Sequence, residues 1–118
     1  MNDHENVQQI PTPAEALSRL VDLDAEATLV ASELAKSGRR LAQAERSWKL
    51  HRAEHLPKVD GKSVDIREAE VVNLAPDKYA EYLSAQTQAD TWRSVGAMVR
   101  SRIDAARSVT AGVRPLTD

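Results

Sequence analysis

Two imidazoles and a carboxylate stand together at His51, Glu54 and His55. Their H-x-x-E-H spacing is one in which two ligands on one helical face hold a zinc ion and the acid serves as general base. Such a site also needs a third ligand and a dry cleft. A chain of 118 residues with no phenylalanine, two tryptophans and two tyrosines has little with which to wall one. The plainer expectation is a pair of partly exposed histidines in the seam of a helix near its end. Asp60-Gly61-Lys62-Ser63 carries the last letters of a phosphate-binding loop, but Leu56 stands where the first glycine belongs and a helix, not a strand, leads in. Gly61 as a turn pivot and Ser63 as a helix cap account for the same letters. No nucleophile, histidine and acid set stands out, and pairs such as Glu68 with Glu70 read as solvated faces. Without cysteine there is no disulfide and no thiolate metal site. These residues argue for no enzyme, no metal and no cofactor.

What remains is a concentration of positive charge. The chain carries 16 Lys and Arg against 18 Asp and Glu, a net charge of −2. Residues 1–35 hold Arg19 against seven acids, whereas residues 36–67 hold nine cations against Glu45, Glu54, Asp60 and Asp65. Arg46, Lys49 and Arg52 are spaced by three and share a helical face; Lys58, Lys62 and Arg67 follow across a loop. An acidic chain binds a polyanion only if its charges are segregated in this way. Trp48 lies among these cations and could stack on a base, although its place in an apolar line favours packing.

The elements that must present this cluster are helices. Residues 1–11 read as a flexible polar tail. Thr12 caps, Pro13 suits the first helical position and Glu15 completes a capping box. From there Leu20, Leu23, Ala27, Val30, Leu34, Ser37, Leu41, Ala44, Trp48, His51 and His55 alternate by three and four, the spacing of a coiled coil. Leu20, Leu34, Leu41 and Trp48 fall on one line of sevens, and the stripe weakens toward the tip. Gly38 marks close helix approach, a bend or a tolerated weak point. Pro57 ends this first arm (12–56) and pushes His55 and Leu56 toward extended backbone. The connector, 57–76, is a loop pivoting on Gly61, then a restart capped by Ser63 with a mixed pattern, in which a short strand at 70–74 is the lesser option. Pro76 and Asp77 open a second arm (77–110) along Tyr82, Ala85, Ala89, Trp92, Gly96, Val99, Ile103 and Ala106, and residues 111–118 form a tail.

The expected fold is therefore all-α: a long antiparallel helical hairpin, coiled-coil-like, with a short irregular or helical connector as its tip. Its stripes are wider than one seam needs, and two helices alone scarcely offset their conformational entropy. A homo-oligomer is expected, through Trp92, Val99 and Ile103 of the second arm. No apolar run approaches the roughly 20 residues that span a bilayer, so no membrane partner is expected and the cytoplasm is the expected compartment.

Trp48-Lys49-Leu50-His51-Arg52-Ala53, Gly61-Lys62-Ser63-Val64, Arg67-Glu68-Ala69, Asp77-Lys78-Tyr79 and the helix bearing Trp92 together resemble the phage recombination mediators of the UvsY type and related small phage and prophage proteins. The resemblance covers roughly residues 40–108 and rests on order and character. It implies an oligomeric, non-enzymatic helical protein of a bacterial host's cytoplasm that binds single-stranded DNA and helps load a recombinase onto strands covered by single-stranded-DNA-binding protein. It also implies DNA contacts from Lys49 and Arg52 and oligomerisation through 92–106. The acidic first arm departs from that family. The alternative is a coiled-coil structural or adaptor protein whose basic tip docks an acidic protein and binds no nucleic acid.

Overall fold

The computed structural model describes residues 10–112. The tails expected at 1–11 and 111–118 lie mostly outside that range. Its elements are α1 (Pro13–His55), a 3-10 turn (Leu56–Lys58), α2 (Val64–Leu74) and α3 (Pro76–Gly112), with no strand among the described residues. The fold is all-α, and the segment around 70–74 is helix.

The boundaries follow local chemistry. Thr12 accepts the Glu15 amide on its Oγ1 at 3.1 Å and the Ala16 amide on its carbonyl at 2.9 Å, so two of the orphan donors of the α1 N-terminus are satisfied. Ser63, with extended backbone, accepts the Ile66 amide on Oγ at 3.2 Å and starts α2. Ala75 leaves helical geometry and donates its amide to the Val72 carbonyl at 3.1 Å, after which Pro76 begins α3. Pro57 acts differently from expectation. His55 keeps helical angles and Leu56–Lys58 tightens into a 3-10 turn, with extended backbone first at Val59; a proline at the start of such a turn gives up no donor the turn needs.

The chain divides into two compact units, one from its outer portions (to Val30 and from Val95), the other Ala31–Ser94. In the first, Ala16 and Val30 of α1 and Val99 and Ala106 of α3 are buried. Arg19 and Leu23 of α1 line one groove with Arg102, Ala105, Ala106 and Val109 of α3, so the two segments lie side by side. In the second unit, Arg40 of α1 reaches Glu81, Ser84 and Gln88 of α3 while Trp48 meets Tyr79, which sets the two segments antiparallel. Ser37, Ala44, Trp48 and His51 of α1, Val71 of α2 and Ala85 and Ala89 of α3 form its core.

Burial picks out a different line from the leucines. Ala16, Val30, Ser37, Ala44 and His51 are buried and Leu23 half-buried, all at multiples of seven, whereas Leu20, Leu34 and Leu41 are half-buried. Small side chains let neighbouring backbones approach, so most of the innermost positions are small and the leucines close the flanks, while Trp48 is the one member of the leucine line that is buried. The stripe also does not weaken toward the tip, since Trp48 and His51 are buried to the same degree as Val30 and Ala44. Ser37 is accommodated by donating its hydroxyl to the Leu34 carbonyl at 3.1 Å.

Gly38 sits in unbroken helix, and an added Cβ would meet nothing within 4 Å. It is thus a tolerated weak point within the chain. Gly38→Ala is expected to raise stability by about 1 kcal/mol, seen as a higher urea midpoint with an unchanged slope.

Candidate nucleic-acid interface

The six basic residues singled out by sequence all lie in the unit Ala31–Ser94 and all are exposed. They do not stand in one condition. Lys49 is held by Glu45, one turn earlier on α1, at 2.6 Å. Hydrogen bonding to that carboxylate, then its charge, raises the Lys49 pKa above the usual lysine value. Arg52 turns toward α2, where its Nε lies 3.0 Å from both oxygens of Glu68 and its terminal nitrogen also bonds that carboxylate. The same hydrogen bonds draw Glu68 below its ordinary range. By linkage this pair stabilises the fold above the normal glutamate pKa and ceases to as pH falls through the lowered one; its exposure keeps the effect small. Arg46, Lys58, Lys62 and Arg67 have no carboxylate partner within 4.0 Å among the described residues.

The connector is built to hold its shape. Gly61 is required for closeness, not for a left-handed backbone, since no glycine among the described residues has positive φ. A Cβ there would stand 2.8 Å from Ile66 Cγ2 and 2.9 Å from the Arg67 backbone nitrogen. Lys62 and Ser63 are thereby tied to the first turn of α2.

His51 and Trp48 support this end from within. The His51 ring is 7% exposed, and its Nε2–H donates to the Val71 carbonyl at 3.0 Å. That carbonyl lies in the last turn of α2, where helical partners run out. Trp48, 6% exposed, has its ring 4.8 Å from Tyr79 and 5.5 Å from His51, so it packs and does not present a face to a base. His51 is thus buried where partial exposure was expected, with its Nε2 taken up by a carbonyl. Among the described residues no three His, Cys, Asp or Glu side chains come together as a metal site.

Of the residues expected to join copies, Val99 is buried and Trp92 and Ile103 half-buried within the chain itself, on the α3 stripe that faces α1. A further basic feature lies outside the six: Arg93, Arg100 and Arg107 recur by sevens along α3 and are exposed. Arg93 pairs with Asp90 at 2.7 Å. Their period of seven is the sequence signal, masked by a net charge of −1 over residues 68–118. Among the described residues no helix is long and apolar enough to cross a membrane. No family model matches the chain, and no characterised protein or solved structure matches it either.

Proposed function

We propose that this chain is a phage-type recombination accessory protein that binds single-stranded DNA at the end formed by the C-terminal part of α1 and the connector, and assists loading of a recombinase. One observation carries the reading. In a chain of net charge −2, Arg46, Lys58, Lys62 and Arg67 are exposed and without a carboxylate partner among the described residues. Phosphate can reach them without first breaking an ion pair. Lys49 and Arg52 must exchange Glu45 and Glu68 for phosphate, so they contribute less.

Four phosphate contacts on a single strand give a log–log salt slope of about −3, hence binding that is modest per chain and gains from several copies on one strand. Fluorescence anisotropy with a labelled oligothymidylate, titrated with salt, should show that slope. Joint replacement of Arg46, Lys58, Lys62 and Arg67 by Ala should flatten it and abolish binding at moderate salt, whereas Lys49→Ala with Arg52→Ala should reduce binding less. Absence of binding at low ionic strength would reject this reading in favour of an adaptor docking an acidic protein.

A further inference from the structure

Arg39 stands two positions beyond buried Ser37, and Arg46 two beyond buried Ala44. At 3.6 residues per turn that puts both arginines on the outer side of α1. Both are exposed, and neither has a carboxylate within 4.0 Å among the described residues. Between them the surface dips. One hollow is lined by Arg39, Ala42, Gln43 and Arg46; a second shares Ala42 and Arg46 with it and reaches Glu45, Lys49 and Leu50. All of these residues belong to α1 and to the unit Ala31–Ser94. Ala42, common to both hollows, contributes only a methyl group where a longer side chain would close the gap between two guanidinium groups.

The chemistry of this lining selects its occupant. Glu45, the one acid in it, is already held by Lys49 at 2.6 Å, so Arg39 and Arg46 face solvent uncompensated. Two copies of the face would set guanidinium against guanidinium, and it is therefore not self-complementary. An anion that carries flat rings does fit. A guanidinium plane meets phosphate along its edge and a ring on its face. Gln43 offers a donor and an acceptor to a base edge, and Leu50, 65% exposed, extends the apolar surface. Resting on strand binding at the connector, we propose that the same single strand continues along α1 to Arg39, with an unpaired base seated over Ala42 between Arg39 and Arg46.

Spacing makes this a contact for unpaired bases. The seven residues from Arg39 to Arg46 rise about 10 Å, whereas phosphates follow one another by about 3.4 Å along a stacked strand. The two arginines therefore take different phosphates, and a nucleotide between them can turn its base inward. A base free of its neighbours stacks on a guanidinium plane whatever its identity. In a duplex the bases are paired and stacked within the helix, so only the phosphate contacts are left. The hollow thus gives the site its preference for single strands, and Arg39 gives it a fifth phosphate contact beyond Arg46, Lys58, Lys62 and Arg67.

Fluorescence anisotropy with labelled oligothymidylate, an abasic oligomer of the same length and a duplex separates phosphate from base contacts. Arg39→Ala should weaken oligothymidylate binding about fivefold or more and make the log–log salt slope shallower by about 0.7. Arg39→Lys should keep the slope and lose about two- to fivefold, the worth of an exposed guanidinium on a ring. Ala42→Leu should fill the hollow, cost a similar factor with the slope unchanged, and leave binding of the abasic oligomer where it was. It should also narrow the margin by which the wild type prefers oligothymidylate to duplex. Circular dichroism should show unchanged helicity in all three variants, since both positions are exposed and Ala, Leu and Lys are strong helix formers. If the wild type binds the strand and Arg39→Ala and Ala42→Leu bind it equally well, this inference is overturned while strand binding at the connector stands, and the face is left to an acidic protein. If the wild type binds no strand at low ionic strength, both are overturned.

Discussion

Trp48→Ala is expected to lower the unfolding free energy by about 3 to 5 kcal/mol. Of an ordinary total of about 5 to 15 kcal/mol, that is enough to leave a marginal domain largely unfolded at physiological temperature. The size follows from the surroundings. Trp48 is the largest side chain in a core otherwise built from Ala44, Ala85, Ala89, Ser37 and Val71, with His51 and Tyr79 against its ring. Small neighbours cannot move in to fill the space that an indole leaves, so the cavity cost is close to its full value. Urea unfolding followed by far-ultraviolet circular dichroism measures the loss. Leu50→Ala, two positions on and largely exposed, should change stability by no more than about 0.5 kcal/mol. A Trp48→Ala chain as stable as the wild type would mean that the indole does not pack here at all.

His51→Ala is expected to cost about 1.5 to 4.5 kcal/mol. The first part is the Val71 carbonyl left without its Nε2–H donor inside the protein, worth about 1 to 3 kcal/mol. The second is ring contact with Trp48 and with His55, whose centroid is 4.5 Å away, worth about 0.5 to 1.5 kcal/mol. His51→Gln keeps an N–H donor of similar reach and should recover part of the loss, whereas His51→Leu should not. Thermal unfolding of the three variants distinguishes a missing donor from missing volume. Adding a strong chelator to the wild type should leave its melting temperature where it was, because the imidazole is occupied by a backbone carbonyl.

Much of this architecture was written in local sequence. Thr12 with Pro13, Ser63, and Ala75 with Pro76 mark helix ends through chemistry confined to a few neighbouring atoms, so they could be read without knowing the fold. The alternation of three and four likewise gave the two long helices. It could not say which of the two lines of sevens lies innermost. That is settled by how closely two backbones approach, and leucines attract attention at positions where the fold uses them as flanks. Ion pairs were out of reach for the same reason. Arg40 meets Glu81 across 41 positions and Arg52 meets Glu68 across 16, so which cations stay unpaired depends on packing that composition does not encode. His51 carried a motif that suggested a metal, and only the placement of α2 shows that its nitrogen serves a helix end.

The ladder of contacts also implies an order of assembly. His51 and Val71 are 20 positions apart, and Arg40 and Gln88 are 48; the groove shared by Arg19 and Arg102 joins residues farther apart still. Closing a loop costs about 0.6 kcal/mol more for each doubling of its length, so the cheapest closure lies at α2, and every later one is shortened by those already made. Folding is expected to start at the Trp48–His51–Val71 cluster, which phi-value measurement at these positions would show. Trp48→Ala should then slow folding as well as lower stability.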